Sequence, residues 1–286
     1  MNINWYPGHM KKTKESIRNS LAMVDIVYEL IDARIPYSSR NPEIDNIIGE
    51  KPRLLIMSKK DLADGNGNGL WKAHFGKQGI PVVNVDSLSN EGMKDIINMS
   101  YELTAEKRKA LEKKGIKNRP IRAIIIGIPN VGKSTLINSL SKRKGTKVGN
   151  KPGVTRANQW IKIKGDLELL DTPGILWPKF EEKDVGLNLA FTGAIKDELL
   201  DIETLALELI KKLNSISTDI LANRYGISVE GKSPYEIMGE IGYKRGCVIK
   251  GGEIDFLKVS NILLDEFRKG QLGRITLELP SDNIKV

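Results

Sequence analysis

Short apolar runs alternate with helix-like stretches along roughly the first 170 residues of the chain. Four of the runs have the length and the continuous apolar character of strands buried on both faces, which is typical of parallel sheets. They are residues 24–31, 54–57, 82–85 and 121–126. Helix-like stretches, such as 42–48 and 92–114, lie between them. The pattern predicts an α/β fold, with a mostly parallel sheet and helices on both of its faces.

The sheet is predicted to include an antiparallel hairpin. Residues 160–164 and 167–170 alternate between apolar and polar positions on either side of Gly165 and Asp166. Alternation over two short segments that are joined by a glycine-containing turn is typical of a β-hairpin. The predicted sheet therefore contains one antiparallel strand beside its parallel strands.

Strand signals fade after about residue 179, and the rest of the pattern is helical. Apolar residues recur at helical spacing in 199–213 and again in 254–268. Ser233, Pro234 and Glu236 have the arrangement of a capping box with proline at the first helical position. We therefore predict two domains, an α/β domain of residues 1–178 and a mainly α-helical domain of residues 179–286.

Residues 127–134, with the sequence GIPNVGKS, fill every fixed position of the phosphate-loop pattern G-x-x-x-x-G-K-S. The segment follows a predicted strand and precedes a plausible helix, which is the context that the pattern requires. Glycines let backbone N–H groups wrap around phosphates, and the N-terminus of the helix adds its positive end. Lys133 is expected to reach the β- and γ-phosphates, and Ser134 to hold Mg²⁺. The predicted phosphate-binding residues in this segment are Asn130, Val131, Gly132, Lys133, Ser134 and Thr135.

A second glycine-rich stretch, residues 65–69, resembles a phosphate loop only in its glycine content. No lysine follows it at the required position, and no helix is expected to begin there. We interpret it as a flexible turn.

A second group of polar residues follows the last predicted strand. Asp171, Thr172, Pro173 and Gly174 stand at its carboxyl end. There Asp171 can hold the Mg²⁺ shell, and the amide of Gly174 can sense a γ-phosphate. Thr155, in a basic segment between the two motifs, offers a hydroxyl as a further Mg²⁺ ligand. These residues extend the predicted phosphate and metal site.

The residues upstream of the phosphate loop indicate which base is bound. Ser58, Lys59, Lys60 and Asp61 follow a predicted strand and resemble the N-K-x-D guanine-reading motif, with serine in place of asparagine. The Asp61 carboxylate can accept hydrogen bonds from N1 and N2 of guanine, which adenine cannot supply. Lys59 is expected to stack along the base and ribose. Asp86 and Ser87, after the next strand, stand where an S-A dipeptide presents a backbone N–H to guanine O6. The predicted guanine-binding residues are Ser58, Lys59, Asp61, Asp86 and Ser87.

The order of these motifs along the chain is unusual. The guanine-reading residues come first, then the phosphate loop, and then the Mg²⁺ and γ-phosphate residues. In ordinary small GTPases the phosphate loop comes first. The order predicts a circularly permuted P-loop GTPase domain, in which the basic stretch 105–120 rejoins the original termini. It also places the γ-phosphate sensor directly before the helical domain.

Charge and cysteine content indicate the partners and the cellular compartment of the protein. The chain carries a net charge of +9 and has a pI near 9.4, which favours contact with a polyanion. The excess is concentrated in three basic tracts, 11–18, 107–122 and 142–156, so an RNA surface is predicted.

The single cysteine, Cys247, excludes an internal disulfide and any multi-cysteine metal site, and we expect it to be buried. No apolar run is long enough to span a membrane, so we predict a cytoplasmic protein without integral membrane association.

The whole chain resembles the ribosome biogenesis GTPase A family, also called YlqF, of circularly permuted GTPases. The resemblance is carried by WYPGHM at 5–10, DIVYELIDARIP at 25–36, the phosphate loop, and NKPGVT at 150–155. It implies binding of GTP and GDP and a role in the late assembly of the large (50S) ribosomal subunit. It also implies contacts with rRNA and ribosomal proteins of the subunit precursor, made in part by the helical domain.

The residue that activates the attacking water is not evident. Many GTPases carry glutamine directly after D-x-x-G, but here Ile175 occupies that position. His9, in the P-G-H-M segment of the family, is a candidate catalytic residue; alternatively, it contacts RNA or packs against the sheet. Asn130 resembles the asparagine of potassium-activated GTPases, which adds K⁺ to Mg²⁺ as a candidate cofactor. We expect the isolated protein to hydrolyse GTP slowly and a ribosomal subunit to stimulate it.

Two other functions fit part of the pattern. An ATP-using phosphotransferase would share the phosphate loop but would not need Asp61 at a strand end. A GTP-regulated RNA-binding switch, with negligible hydrolysis and a non-ribosomal RNA partner, would fit the loss of the water-orienting side chain at Ile175.

Overall fold

The computed structural model describes residues 10–141, 160–164, 166–170 and 182–280. The chain divides into two compact units. Of the described residues, the first unit contains those up to 170 together with 278–280, and the second contains 182–277. Residues 278–280, which the predicted boundary assigned to the helical domain, group with the first unit. The carboxylate of Glu278 accepts hydrogen bonds from the amide and hydroxyl of Ser38, and its carbonyl accepts one from Trp71 Nε1.

The first unit is built on a six-stranded sheet with the strand order β3-β2-β1-β4-β6-β5. The strands are β1 (Ile26–Asp32), β2 (Arg53–Ser58), β3 (Val82–Asn84), β4 (Ile121–Gly127), β5 (Trp160–Ile163) and β6 (Leu167–Leu170). All neighbouring strands are parallel except β5, which pairs antiparallel with β6. The predicted α/β class and the mostly parallel sheet are confirmed, because each strand coincides with one of the apolar or alternating runs.

The sheet has a point at which its strand order reverses. The chain runs outward from β1 through β2 to β3 and then returns to place β4 on the other side of β1. Every residue of β1 is buried, as expected for a strand at the centre of a sheet. In open α/β sheets, ligands bind outside the carboxyl ends of the strands at such a reversal. The topology therefore predicts a ligand site at the segments that follow β1 and β4.

Six helices accompany the sheet in the described part of the first unit: α1 (Met10–Leu21), α2 (Ile44–Ile48), α3 (Gly65–Lys77), α4 (Met93–Leu103), α5 (Ala105–Lys113) and α6 (Lys133–Leu140). The helical stretch predicted at 92–114 is divided in two at Thr104. The Thr104 hydroxyl donates to the carbonyl of Ser100 at 2.7 Å, an interaction that often bends helices.

The flexible turn predicted at 65–69 is wrong, because these residues form the first turns of α3. The side chain of Asp64 accepts a hydrogen bond from the amide of Gly67 at 2.6 Å and caps the helix. Farther along, Trp71 and Phe75 are fully buried in a cluster with β1 and β2 side chains such as Ile31. Capping and burial together outweigh the poor helix propensity of glycine.

The second unit, in its described residues, consists of helices joined by short connections. They are α7 (Lys183–Phe191), α8 (Ile202–Ile216), α9 (Asp219–Tyr225), α10 (Pro234–Lys244) and α11 (Phe256–Arg268), with a 3-10 turn at Asp197–Leu199. The capping box at Ser233 and Glu236 is confirmed at the start of α10. The predicted helices 199–213 and 254–268 begin later than expected, because Asp201 and Asp255 act as N-caps. Cys247 is buried, as predicted.

None of the helices in these described ranges is both long and apolar enough to cross a membrane.

Candidate nucleotide-binding site

The polar segments predicted to bind nucleotide follow neighbouring parallel strands. Ser58 ends β2 and Lys59 to Asp61 follow it, Asp86 and Ser87 lie beyond β3, and the 127–134 loop begins at the end of β4. Because these strands are parallel, their carboxyl ends lie at one edge of the sheet. Direct hydrogen bonds join the segments there. The fold thus brings together residues that lie far apart in the sequence.

The conformation of the phosphate loop depends on its glycines. A Cβ atom on Gly127 would lie 2.5 Å from the carbonyl oxygen of Leu30, so no larger residue fits beside β1. Gly132 has φ = 102°, in the region that favours glycine, and Asn130 has φ = 57°. These positive φ values turn the chain so that α6 begins directly at Lys133, with Gly132 as its N-cap. The positive end of α6, with Ser134 and Thr135 in its first turn, therefore faces the loop.

The side chain of Lys133 lies inside the curve of the loop. Its ammonium group donates to the carbonyl oxygens of Gly127 at 2.9 Å and Ile128 at 2.7 Å. The residue is only 9% exposed. A lysine held in this position presents its positive charge to an anion that the loop surrounds, which is the role predicted for it.

Only part of the predicted metal site can be tested for its fit to Mg²⁺. The Ser134 hydroxyl, in the first turn of α6, is the type of hard oxygen ligand that Mg²⁺ prefers. It stands next to Lys133, beside the loop that would hold the phosphates. The other predicted ligands, Thr155 and Asp171, lie outside the described residues, as do Gly174 and His9. The Ser134 position is compatible with Mg²⁺ bound between the protein and phosphate oxygens.

Ser58 connects β2 to the phosphate loop. Its hydroxyl lies within hydrogen-bonding distance of the carbonyl oxygens of Ile31 (2.9 Å) and Val131 (2.6 Å). The side chain is buried, so serine fills the space between the two loops. The predicted guanine-reading segment is therefore attached to the phosphate-binding segment through the residue that replaces asparagine.

Lys59 makes a second connection of the same kind. Its ammonium group donates to Asp32 Oδ2 at 2.9 Å and to the carbonyl oxygen of Asn130 at 2.7 Å. Burial lowers the pKa of Lys59 below its usual value, because the opposing effect of the carboxylates of Asp32 and Asp61 only partly offsets it. Because the ammonium group is held at the loop, the predicted stacking along a base would fall to the aliphatic stem of Lys59.

The remaining guanine-binding candidates differ in what their side chains contact. Asp61 is half-buried and close enough to Lys59 to interact with its charge. Asp86 Oδ1 accepts hydrogen bonds from the amides of Leu88 and Ser89. Burial raises the pKa of Asp86, but these hydrogen bonds outweigh it and hold the pKa below its usual value. Asp86 thus shapes its own turn, which leaves Asp61 as the carboxylate better suited to read a base.

The turn after β3 is also joined to the helix of the phosphate loop. The hydroxyl of Ser139, on α6, donates to the carbonyl oxygen of Ser87 at 2.6 Å. The two segments predicted to contact opposite ends of a nucleotide therefore belong to one hydrogen-bonded framework.

Asp32, the last residue of β1, was not among the predicted site residues. It is buried and bonded to Lys59, at the point where the strand order reverses. The signal that could have revealed it is the one that revealed Asp61, namely an acidic residue at the carboxyl end of a buried apolar run.

Comparisons with known proteins identify the family of the chain. A family model described as 50S ribosome-binding GTPase matches residues 122–225. Ribosome biogenesis GTPase A of Bacillus licheniformis is 46% identical over 282 residues, which cover 99% of this chain and 100% of that protein. The chain belongs to the ribosome biogenesis GTPase A family. The family predicted from the sequence motifs is confirmed.

More distant relatives of the family match nearly the full length as well. Ribosome biogenesis GTPase A of Thermotoga maritima is 30% identical and covers 98% of this chain. Mitochondrial ribosome-associated GTPase 1 of Bos taurus is 33% identical and covers 96% of this chain and 88% of its own length. A crystal structure of GNP-bound YlqF from T. maritima covers 95% of this chain and 99% of its own, with a TM-score of 0.66 and 26% identity.

The matched region also bears on the permuted order of the domain. The GTPase family model begins at Arg122, in β4, just before the phosphate loop. The segment 58–61, predicted to read guanine, lies upstream of that match, yet it is hydrogen-bonded to the 127–134 loop. The domain is thus a circularly permuted P-loop GTPase domain, as the motif order predicted.

Proposed function

We propose that the protein binds GTP with Mg²⁺, hydrolyses it to GDP and phosphate, and acts in the late assembly of the large ribosomal subunit. The observation that carries the proposal is the attachment of the guanine-reading segment to the phosphate loop through Ser58 and Lys59. This attachment suits a ligand that has both a base and a polyphosphate. The names of the relatives support the ribosomal role, which would involve rRNA and ribosomal proteins of the subunit precursor.

The metal and the water-activating group complete the proposal. Ser134, Thr155 and Asp171 would hold Mg²⁺, which neutralises charge on the phosphates, while Asn130 would contribute to a K⁺ site. Gly174 would sense the γ-phosphate. His9 would orient the attacking water, because Ile175 has no hydrogen-bonding group.

The structure refines the basic surface proposed to contact RNA. In the tract 107–122, four cations have partners within the protein. Lys107 and Arg119 pair with Asp25, Arg122 pairs with Glu168, and Arg108 lies over the ring of Tyr101. The remaining four, Lys109, Lys113, Lys114 and Lys117, are exposed. Since no residue of α5 is buried, we propose the outer side of α5 and the turn after it as the RNA-binding part of the tract.

Neutralising two of these lysines should weaken binding to the large subunit. For the double variant Lys109→Gln/Lys113→Gln, the slope of log affinity against log salt concentration should decrease in magnitude by about 2, because each lysine that contacts a phosphate contributes about 1. Binding is measured by co-sedimentation with large subunits over a range of salt concentrations. The double variant Lys72→Gln/Lys77→Gln, with the same charge change at exposed positions on α3, should leave the slope unchanged. Equal slopes for both variants would contradict an RNA surface on α5.

The experiment that tests the proposed function is GTP turnover with and without purified large subunits. We expect slow turnover by the isolated protein and faster turnover with subunits, which would order the residues around the γ-phosphate. His9→Ala should abolish the stimulated rate while GTP affinity and subunit binding remain, the pattern of an interaction made only in the transition state.

The same assay separates the alternatives. A His9→Ala protein as fast as wild type would remove His9 from the mechanism, and equal rates in K⁺ and Na⁺ would remove the potassium ion. Tight GTP binding without turnover in any condition, and without subunit binding, would favour the GTP-regulated switch with a non-ribosomal RNA partner. Equal affinity for ATP and GTP would favour the phosphotransferase.

A further inference from the structure

Asp32 occupies a central position among the loops of the site. It ends β1, whose neighbours are β2 and β4, the strands that lead into the guanine-reading segment and the phosphate loop. In the strand register, Asp32 is level with Ser58 on one side, and Leu30 is level with Gly127 on the other. The side chain is almost fully buried, at 1% exposure. A buried carboxylate at this place needs cationic partners, and the identity of those partners indicates its role.

Arg34 fixes the orientation of the Asp32 carboxylate. Oδ1 accepts hydrogen bonds from the amide and Nε of Arg34, both at 3.0 Å, and Oδ2 accepts one from a terminal nitrogen at 2.8 Å. This two-point contact sets the plane of the carboxylate, as arginine pairs of this type do. The hydroxyl of Ser39 accepts a hydrogen bond from the backbone amide of Asp32 at 2.9 Å. Both the carboxylate and the backbone of Asp32 are therefore held by residues of the segment that follows β1.

The same carboxylate holds the guanine-reading lysine. Oδ2 accepts a hydrogen bond from Lys59 Nζ, which also donates to the carbonyl oxygen of Asn130 in the phosphate loop. Lys59 itself has φ = 57°, a left-handed value that is strained in a non-glycine residue and persists only when neighbours impose it. Asp32 and Asn130 are neighbours that accept hydrogen bonds from its ammonium group.

We propose that Asp32 is a positioning residue of the nucleotide site, which holds Lys59 against the phosphate loop and so sets the spacing between the guanine-reading segment and the loop. It acts through Lys59 and does not touch the nucleotide. The inference rests on the proposed GTP-binding function, because GTP is the ligand that Lys59 and the phosphate loop would share.

Glu29 provides a matched comparison on the same strand. It is also a buried carboxylate, at 2% exposure, and it is also paired with arginines, Arg40 at 3.2 Å and Arg53 at 3.3 Å. Those arginines belong to a cluster with Asp45, not to the guanine-reading segment or the phosphate loop. Loss of either carboxylate charge should cost stability, but only the loss at Asp32 should alter nucleotide binding.

The test compares Asp32→Asn, Glu29→Gln, Lys59→Met and the double variant Asp32→Asn/Lys59→Met. Affinities for GDP and ADP are measured by titration calorimetry. Asp32→Asn should weaken GDP binding about tenfold, the size expected for the loss of one charge-assisted contact. Glu29→Gln should bind GDP with wild-type affinity although its unfolding temperature falls. The double variant should bind no more weakly than Lys59→Met alone, because Asp32 acts only through Lys59.

A second measurement gives the GDP affinity of any variant that is partly unfolded. The midpoint of thermal unfolding is recorded for each variant over a range of GDP concentrations. Because GDP stabilises only the folded state, the rise of the midpoint reports the affinity of the folded fraction.

The outcomes separate the inference from the function on which it rests. Wild-type GDP affinity in Asp32→Asn, an equal loss in Glu29→Gln, or full additivity with Lys59→Met would each overturn the positioning role. If the wild-type protein itself binds GDP no more tightly than ADP, the proposed guanine site is wrong and the inference fails with it.

Discussion

Replacement of Lys133 by alanine should lower GTP affinity at least about a hundredfold and nearly abolish turnover. A hydrogen bond from a charged group contributes about 1.5–3 kcal/mol, and the lysine is expected to contact two phosphate groups. In the structure the ammonium group lies inside the phosphate loop, where it donates to Gly127 and Ile128. Its removal also leaves those two carbonyl groups without this donor, which should cost about 1–3 kcal/mol of stability for each carbonyl that stays buried. GTP affinity by calorimetry, turnover, and thermal unfolding together measure these effects.

Lys60 provides the control for the Lys133 variant. It follows β2 next to Lys59, but its ammonium group pairs with Glu91, which is not part of the phosphate loop. Lys60→Ala should therefore keep GTP affinity within about threefold of wild type, since such a surface pair contributes little. Wild-type turnover and GTP affinity in a folded Lys133→Ala protein would mean that the 127–134 loop does not bind the phosphates.

Replacement of Asp61 by asparagine should change which base is preferred. The carboxylate is expected to accept hydrogen bonds from N1 and N2 of guanine, and a carboxamide cannot accept both. An unmatched polar group in such a contact costs about 1–3 kcal/mol, so GTP affinity should fall about tenfold to a hundredfold. Xanthosine triphosphate, whose base edge matches a carboxamide better, should then bind more tightly than GTP. Competition between the two nucleotides measures the preference directly.

Asp64 offers a matched substitution for the Asp61 experiment. It lies three residues farther along, and its side chain caps α3 through the amide of Gly67. Since asparagine is also a good N-cap, Asp64→Asn should leave stability and base preference close to wild type. If Asp61→Asn retains the wild-type preference for GTP, the 58–61 segment does not read the base.

Local patterns were sufficient for much of the fold. The buried strands β1, β2 and β4 are continuous apolar runs, and the burial of such a run on both faces requires little information beyond its own composition. The start of α10 was predicted by its capping box, because the residues that satisfy its first amide groups lie within one turn. The phosphate loop was predictable for the same reason, since its chemistry is contained in eight consecutive residues.

Elements that depend on distant partners were not predictable. The helix at 65–77 forms in spite of its glycines, because Trp71 and Phe75 pack in the core of the first unit. The segment 278–280 joins the first unit through a contact between Glu278 and Ser38, which are 240 residues apart. No local pattern reports such contacts, and propensity alone favours other outcomes.

The sequence by itself determined which chemistry to expect at the site: a phosphate loop, a guanine-reading segment with serine in place of asparagine, and their permuted order. The tertiary structure decided how these parts are joined, through Ser58 and Lys59 to the loop and through Asp32 to Lys59. It also decided which basic residues remain exposed, since Arg119 finds its partner in Asp25, 94 residues away. The physical reason is that residue types set what a group can bind, whereas the partner of a buried charge is set by which strands the sheet places side by side.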